Sequence, residues 1–391
     1  MTARFAELGS VAEFINGAAF KPEDWGEEGQ CIIRIQNLTD PTKPYNRTKR
    51  QIPEKLHVQP GDLLVSWSAT LGVFEWSGPD VALLNQHIFR VLPDERRVDK
   101  RYLRYGLEKA LLEMQRHLHG ATMQHVNRGE FLSTEFYLPL LAEQRRIAEV
   151  LDRVEALRAK RRAAIAQIDT LTQTIFLDLF GDPATNPKGW PVETLHELVI
   201  EFRYGTSNKS QQQGRPALRI PNVIGGTIDL SDLKMVPVSA AEFERLRLID
   251  GDVLFVRTNG NPDYVGRCAV FDKSLAAISG FTGNEFIFAS YLIRARLVMD
   301  KVTPIFFREF MLGTGGRREL RSRSKTSAGQ FNINTENLGA VPVPAPPLPL
   351  QHEFSRRVTA VEKLKAAHRS SLAEMDALFA SLQHRAFRGE L

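Results

Sequence analysis

The sequence predicts an α+β protein with an internal pseudo-two-fold duplication, in which two globular α+β domains are separated by a long antiparallel two-helix coiled coil. Three observations predict this fold class. Short sequence blocks recur in the same order in both halves, each half ends in an uninterrupted heptad pattern, and the remaining stretches alternate short apolar runs with turn residues. We expect domain ranges of 1–139, 140–182, 183–345 and 346–391, with the long helices in the second and fourth.

The duplication is visible as matching blocks along the chain. Residues 33–38 (Ile-Arg-Ile-Gln-Asn-Leu) match 218–223 (Leu-Arg-Ile-Pro-Asn-Val) at an offset of 185, and 61–64 match 251–254 at an offset of 190. Further matches join Leu8 and Val11 to Leu195 and Leu198, and Gln124, Glu130 and Leu132 to Gln330, Glu336 and Leu338. The last offset is 206, so the second copy carries about 16 extra residues between these anchors, where loops vary most.

The globular ranges contain short apolar runs bounded by Gly, Asn, Pro and Asp, which is typical of strands. The clearest runs are 31–35, 62–67, 87–91, 252–256 and 285–288. Helices are expected at 100–117 and at 304–312, ending at 320 at the latest. Each globular half is therefore α+β.

Each half then ends in a long helical pattern without glycine or proline. The first, 142–180, has 39 residues and should span about 58 Å. Its a and d positions are Ile147, Val150, Val154, Leu157, Arg161, Ala164, Ile168, Leu171, Ile175 and Asp178. The same positions of the second helix are Phe354, Arg357, Val361, Leu364, His368, Ser371, Met375, Leu378, Leu382 and Arg385. Antiparallel packing of these seams would make Arg161 and His368 face each other in one polar layer. The alternative is that each helix packs on its own domain.

Composition excludes several classes of protein. The apolar share of 43% and the charged share of 25% are those of a globular chain, and two cysteines cannot form a disulfide framework. The net charge of +5 permits nucleic acid as a partner without requiring it. No apolar stretch has the length of a signal peptide core or membrane helix, so we expect a cytoplasmic protein. Phosphate-binding, methyl-donor and metal-ligand motifs are also missing from the sequence.

Polar and basic loops are the candidate contacts to nucleic acid. Residues 317–325 carry five cations and one anion, and Gln330 and Asn332 follow. Cations attract phosphates, whereas Gln and Asn can pair bidentately with adenine. The candidates in the second half are Arg203, Tyr204, Thr206, Ser207, Lys209, Arg257, Thr258, Asn259, Arg321, Arg323, Lys325, Gln330 and Asn332. Those in the first half are Trp67, Ser68, Thr70, His119, Thr122, Gln124, Asn127 and Arg128, with 67–70 at the position of 256–259. A solvated surface is the alternative for any single loop.

Over nearly its full length the chain resembles the specificity subunits of type I restriction-modification systems. The motifs that carry the resemblance are 138–147 (Leu-Pro-Leu-Leu-Ala-Glu-Gln-Arg-Arg-Ile), 179–182, 203–207, 257–260, 329–334, 346–351 and 381–391. Two departures are that the second helix opens with Gln351-His-Glu-Phe354 and that the first domain lacks the Arg-Tyr-Gly-Thr-Ser loop.

The resemblance implies a non-catalytic subunit with two target-recognition domains that reads an asymmetric, two-part sequence in double-stranded DNA. It implies docking of two adenine-N6 methyltransferase subunits and a restriction/translocase subunit. S-adenosylmethionine, Mg²⁺ and ATP are then expected in those partners, with no cofactor, metal or membrane contact in this chain. From the residues alone, a coiled-coil scaffold with protein-binding ends and a self-sufficient DNA-modifying enzyme stay open as alternatives.

Overall fold

A computed structural model describes residues 5–40, 42–117, 127–278, 280–327 and 329–391. The chain divides into two compact units. Unit 1 consists of Met1–Arg162 and Ser370–Leu391, and unit 2 is Ala163–Arg369. The boundary therefore cuts both long helices. The four predicted domain ranges stay a prediction.

Unit 1 is a mixed α+β body whose apolar core lies between its sheets, the helix Lys100–His117 and the ends of the long helices. Its strands are β1 (Phe5–Glu7), β2 (Ala12–Asn16), β3 (Gln30–Ile33), β4 (Asn46–Thr48), β5 (His57–Val58), β6 (Leu63–Ser66), β7 (Gly72–Glu75), β8 (Ala82–Leu84), β9 (Ile88–Pro93) and β10 (Glu135–Tyr137). Its helices are α1 (Leu8–Val11), α2 (Ile35–Thr39), α3 (Lys100–His117), α4 (Arg128–Leu132) and the first part of α5 (Leu141–Phe180). Short 3₁₀ turns lie at Pro22–Asp24 and Glu54–Leu56.

Unit 2 repeats this order of elements. Its strands are β11 (Val192–Thr194), β12 (Val199–Tyr204), β13 (Arg215–Leu218), β14 (Val223–Ile224), β15 (Thr227–Ile228), β16 (Lys234–Val236), β17 (Val253–Val256), β18 (Thr258–Asn259), β19 (Cys268–Val270), β20 (Ile287–Phe288), β21 (Leu292–Leu297), β22 (Lys325–Ser327), β23 (Gln330–Asn332) and β24 (Pro342–Pro344). Its helices are α6 (Leu195–Leu198), α7 (Ala240–Leu246), α8 (Lys273–Ile278), α9 (Pro304–Leu312), α10 (Thr314–Arg323), α11 (Thr335–Gly339) and the first part of α12 (Leu348–Ala386). A 3₁₀ turn lies at Ile220–Asn222.

The sheets confirm the predicted duplication. The order β2-β9-β6-β7 in unit 1 corresponds to β12-β21-β17-β19 in unit 2, and the pair β1-β10 corresponds to β11-β24. In the second sheet, β3 and β8 run parallel, as β13 and β20 do. The predicted helices 100–117 and 304–312 are confirmed. The apolar run 31–35 is only partly a strand, because Ile35 already begins α2.

Matching polar side chains fix the same turns in both copies. Asn37 accepts a hydrogen bond from the Arg34 N–H at 3.2 Å, and Asn222 accepts one from the Arg219 N–H at 2.8 Å. Both asparagines are buried, and each donates through Nδ2 to two backbone carbonyls. This conserved geometry explains the repeated Arg-Ile-X-Asn block, since a buried amide needs these partners.

A buried glutamine ties the start of each long helix to its unit. Gln144 donates through Nε2 to the carbonyls of Arg97 and Pro139 and accepts from the Asp99 N–H. Gln351 makes the same three bonds to Lys301, Pro346 and Thr303, at 3.0, 2.7 and 2.9 Å. Neither side chain is exposed to solvent.

The two helices pack antiparallel, as the inside of unit 2 shows. Asp169 pairs with Lys365, and further along α5 Phe176 and Phe180 contact Phe354, at ring distances of 5.5 and 5.3 Å. The partner residue number therefore falls as the α5 number rises. The alternative of a helix packed only on its own half is wrong, because Phe176 of the first helix contacts the second.

The predicted a positions lie in the seam, but the leucines at the predicted d positions do not. Ile147 and Ile168 are buried, and Val154, Val361 and Met375 are half-buried. In contrast, the exposed leucines at d are Leu157, Leu171, Leu364 and Leu378, with exposed fractions of 52%, 39%, 46% and 51%. The buried neighbours stand one residue later, at Leu151, Val358 and Phe379 among others. Positions i+3 and i+4 lie on either side of one helix face, so the heptad period alone does not decide which of the two is buried in the seam.

Equivalent ion pairs border this seam. In unit 1 the Arg158 Nε lies 2.6 Å from Asp376 Oδ1, and the guanidinium stacks on Phe379 at 4.4 Å. The Lys365–Asp169 pair of unit 2 is its image, because both members are related by an offset of 207. The predicted pair Arg161 and His368 belongs to different units, and its facing arrangement stays a prediction.

The long helices are amphipathic rather than apolar. Among the helices of the described residues, none combines the length and hydropathy that crossing a membrane requires.

Candidate nucleic-acid interface

A small sheet in unit 2 brings several predicted contact residues together. Strand β23 pairs with β18 on one side and with β22 on the other, so that Asn332 lies opposite both Thr258 and Lys325. The Thr258 hydroxyl donates to Gln330 Oε1 at 3.1 Å, and Asn259 lies opposite Phe331. The sheet therefore presents a hydroxyl, amides and a cation on adjacent strands.

Arg257 connects this sheet to the larger one. Its carbonyl accepts from the Ile333 N–H, and its own N–H donates to the Tyr291 carbonyl, both at 2.9 Å. Its guanidinium carbon lies 4.7 Å from the centroid of the Tyr204 ring, a distance at which a cation and an aromatic face attract. The Tyr204 hydroxyl accepts from the Thr335 N–H at 3.1 Å. Tyr204 and Arg257 thus hold each other beside the sheet.

The basic segment that precedes the sheet is a helix and not the expected loop. Residues Thr314–Arg323 form α10, although Gly315 and Gly316 disfavour a helix. Packing overrides this preference, because Leu320 is fully buried and a side chain at Gly316 would meet the Phe310 carbonyl oxygen at 2.4 Å. This short helix consequently fixes four of the five cations, Arg317, Arg318, Arg321 and Arg323, whereas Lys325 begins β22.

These cations differ in availability. Arg321 is two-thirds exposed and lies 3.5 Å from the equally exposed Asp263. Arg323 is largely covered and pairs with Glu319. Lys325 is exposed and has no ion pair to any residue that the structure describes. Lys325 is accordingly the cation most free to meet a phosphate.

Three of the predicted contact residues are not available at an exposed surface. Thr206 is 5% exposed and donates to Glu242 at 2.8 Å, and Ser68 is 6% exposed. Arg203 is partly buried in an ion pair with Glu201. Their residue types fit surface and interior equally well, so the sequence did not reveal the burial. Ser207 and Lys209, in the loop that follows β12, are exposed as expected.

Arg203 belongs to a charged network inside unit 2. Glu201 pairs with Arg203 and with the fully buried Arg294, while Asp252 pairs with Arg296 at 2.9 Å. The hydrogen bond from Arg203 holds the pKa of Glu201 below its ordinary value, so this carboxylate stays charged. The network occupies the Arg203 guanidinium and leaves it little freedom to reach a ligand.

Unit 1 places different side chains at the corresponding positions. Trp67 donates through Nε1 to Asn16 at 3.3 Å and stacks on Phe89 at 5.7 Å. Asn127 caps α4, and the Arg128 guanidinium donates to the Phe14 carbonyl at 3.2 Å. Thr70 is exposed. The predicted contacts His119, Thr122 and Gln124 lie outside the described residues.

The expected alignment of 67–70 with 256–259 is wrong by one residue. The Trp67 N–H donates to the His87 carbonyl, as the Arg257 N–H donates to Tyr291. Trp67 therefore corresponds to Arg257, and Asn16 at the end of β2 corresponds to Tyr204 at the end of β12. Tyr291, 59% exposed, is a surface aromatic that the sequence analysis missed, because no pattern marks its exposure.

Within the described residues, no group of three or more His, Cys, Asp or Glu side chains is arranged to hold a metal ion. Burial raises the pKa of the Cys268 thiol to about 12, so this cysteine stays protonated at neutral pH.

Comparison with solved structures identifies the fold as that of a type I restriction-modification S subunit. The S subunit from M. genitalium superimposes with a TM-score of 0.56 at 14% identity, over 99% of this chain and 96% of that one. A chain from a structure of complex assembly and conformational transition in a type I system gives 0.58 at 18% identity, over 100% and 99%.

Sequence comparison gives similar proteins of one kind. Residues 3–168 match the type I restriction modification DNA specificity domain. The chain is 30% identical over 291 residues to the EcoKI specificity subunit of Escherichia coli K12, covering 70% of this chain and 61% of that subunit. It is 25% identical over 422 residues to the EcoBI specificity subunit of Escherichia coli, covering 98% and 85%. The match thus spans less than two thirds of the EcoKI subunit. Residues 3–168 thus carry a DNA specificity domain of the type I restriction-modification kind, and the chain as a whole is similar to the specificity subunits of type I restriction enzymes.

Proposed function

We propose that this chain recognises DNA for a type I restriction-modification complex and reads an asymmetric target in two parts, one with each unit. The observation that carries the proposal is a common framework with different side chains at the strand ends. Trp67 and Asn16 in unit 1 stand where Arg257 and Tyr204 stand in unit 2. Because base readout depends on the donors and acceptors at such positions, different side chains favour different half-sites.

Gln330 and Asn332 are the proposed base-reading residues of unit 2, with Lys325 as a phosphate contact. All three lie on the paired strands β22 and β23. Gln330 is exposed and Asn332 half-exposed, and the Asn332 amide donates to the Gln330 carbonyl at 3.3 Å. An amide held in this way can offer its donor and acceptor to an adenine edge with little loss of side-chain entropy.

The proposal assigns chemistry to partner subunits. Adenine-N6 methylation with S-adenosylmethionine belongs to two methyltransferase subunits, and ATP- and Mg²⁺-dependent cleavage to a restriction/translocase subunit. This chain places those subunits on cytoplasmic double-stranded DNA and is not itself an enzyme. The family relationship supports this assignment.

Exposed leucines of the long helices support docking of two copies of one partner. Unit 1 exposes Leu157 and Leu378, and unit 2 exposes Leu364 and Leu171. The two pairs are equivalent, since Leu157 and Leu364, like Leu171 and Leu378, are separated by 207 positions. Each unit thus offers one leucine of these matched pairs from each helix, and apolar side chains at matching exposed positions favour a repeated protein contact.

Methylation mapping of DNA from cells that express the chain with its methyltransferase partner tests the proposal. The wild type should modify a two-part asymmetric sequence. Gln330→Ala should relax one half-site by about 1–3 kcal/mol of discrimination, and Trp67→Ala should change only the other half-site. Arg245→Ala, which removes an exposed arginine of α7, is the matched control and should leave the pattern unchanged. A single uninterrupted target, or loss of both halves from one variant, would contradict the proposal.

A further inference from the structure

A polar cleft in unit 2 lies beside the candidate interface and is not used by the residues proposed above to read bases. Its walls come from the loop after β12, the strands β13 and β16 and the turn before β21. The groups relevant to ligand binding are Ser207, Ser210, Arg219, Lys234, Ser290 and Tyr291. The cleft therefore combines two cations with hydroxyl groups.

The charges of the cleft are partly balanced. Arg219 donates to Asp232 at 2.8 Å, and the Lys234 ammonium lies 3.8 Å from the same carboxylate. Asp232 is 64% exposed and Lys234 is half exposed, whereas Arg219 is largely covered. The exposed Lys209 adds a further positive charge on the adjoining loop. A second carboxylate, Glu242, accepts hydrogen bonds from Thr206 and Asn208, which line the cleft. Two acidic groups thus accompany three cations, which leaves a small excess of positive charge.

The Arg219 guanidinium also has a donor to spare. Its Nε is buried and has no hydrogen-bond partner among the described residues. A buried donor without a partner is costly, so this guanidinium has hydrogen-bonding capacity that the described residues do not use.

The first copy shows which residues stand at the corresponding positions of unit 1. Ala18 and Thr206 make equivalent backbone bonds, to the carbonyls of Leu84 and Phe288, so Phe20 corresponds to Asn208. Phe20 is buried in a cluster with Ile32 and Leu83. In unit 2 the small Ala217 takes the place of Ile32, and the shorter, polar Asn208 that of Phe20. Replacement of the apolar plug by small and polar residues opens the cleft.

The cation on β16 is likewise specific to this copy. Strand register aligns Lys234 with Asn46, because Lys234 lies opposite Ala217 and Asn46 opposite Ile32. In unit 1 the residue at this position is Asn46, and its side-chain oxygen accepts a hydrogen bond from the Arg34 guanidinium at 3.1 Å. Unit 2 has thus replaced an internal hydrogen-bond acceptor by a second cation.

We infer that this cleft binds a phosphate group of the DNA backbone, and this inference rests on the proposed function. Arg, Lys and Ser side chains are the usual contacts to phosphodiester oxygens. Tyr291, at the mouth of the cleft, accepts the Arg257 N–H through its carbonyl, so the cleft adjoins the residues that would face the bases. A DNA phosphate is favoured over free phosphate, because Asp232 offsets part of the charge that an isolated anion would need.

Salt-dependent binding of the full chain to duplex DNA tests the inference. The probes are a duplex with the mapped target and a random duplex of equal length. Lys234→Gln should weaken both by the same several-fold factor and reduce the slope of log affinity against log salt by about 0.9, the value for one phosphate. Lys273→Gln, which removes an exposed lysine of α8 that does not line the cleft, is the control and should leave the slope unchanged.

Three results would overturn the inference. The first is an unchanged slope in Lys234→Gln, and the second is a loss confined to the target duplex. The third is a melting temperature of the wild type that is higher in inorganic phosphate than in chloride of equal ionic strength, while Lys234→Gln shows no such rise and binds DNA as tightly as the wild type. That result would assign the cleft to free phosphate. If wild-type binding prefers the target while the variant's slope is unchanged, only the cleft fails. If the wild type prefers no sequence, the proposed function itself fails.

Discussion

At the start of its long helix, unit 1 places Gln144 where unit 2 places Gln351, and both amides make the same three backbone bonds. At the strand ends the two units differ, with Trp67 and Asn16 in one and Arg257 and Tyr204 in the other. The comparison teaches that the duplicated chain has kept these buried amide contacts and varied the side chains at its strand ends. Buried amides cannot change without leaving partners unpaired, whereas exposed side chains can.

The largest expected effect tests which residues form the helix seam. Leu151→Ala should lower the free energy of unfolding of unit 1 by about 2–5 kcal/mol, because Leu151 is fully buried. Leu157→Ala, six residues further along the same helix, should cost less than about 0.5 kcal/mol, because this leucine is half exposed. Denaturant unfolding in a Trp190→Phe background reports unit 1 alone, since Trp25, Trp67 and Trp76 all lie there. Equal losses would contradict the observed seam.

The next effect tests the shared framework itself. Gln144→Ala and Gln351→Ala should each destabilise their own unit by about 2–3 kcal/mol, because backbone groups lose their buried partner. Hydrogen exchange is the measurement. The Asp99 amide should exchange faster in the first variant, and the Thr303 amide in the second. A large loss in one unit with none in the other would break the equivalence.

The smallest expected effect is a pH dependence of stability that distinguishes unit 1 from unit 2. Glu108 on α3 corresponds to Leu312 on α9, and burial raises the pKa of Glu108 to about 7 despite the nearby Arg104. Between its ordinary value of 4.5 and about 7, the folded state keeps a proton that the unfolded state releases. The free energy of unfolding of unit 1 should therefore fall as the pH rises through this range.

Tryptophan fluorescence in the Trp190→Phe background measures this pH dependence. Glu108→Gln should flatten it, whereas Glu113→Gln, on the same helix but paired with Lys109 near solvent, should not. A pH profile that Glu108→Gln leaves unchanged would place the titrating group elsewhere.

The repeat, the long helices and the strands at 62–67 and 252–256 could be predicted from the sequence, because apolar periodicity and turn residues report local structure. The phase of the helix seam could not. It depends on large anchors such as Phe176 and Phe354, whose partners are distant in sequence. Gly315 and Gly316 similarly suggested a loop, and tertiary packing made a helix of that segment.

The candidate site was predicted in outline only. Gln330, Asn332, Thr258 and Lys325 were recognised by residue type, and the structure unites them on one small sheet. The burial of Thr206 and Ser68 depends on contacts with residues far away, so their sequence neighbours carry no sign of it. The Arg219–Lys234 cleft was missed for the same reason, since it arises from substitutions at three separate positions.

Unit 1 is discontinuous: 207 residues of unit 2 separate Arg162 from Ser370. A ribosome that adds about 5–20 residues per second needs about 10–40 s to make that insert. Phe379 and Phe387, which pack into the core of unit 1, emerge only after it. Unit 2 can thus complete its core during synthesis, while the first-made portion of the chain must wait, partly uncovered, for its closing segment. We therefore expect chaperones to bind the nascent amino-terminal half of this protein before its closing segment has been made.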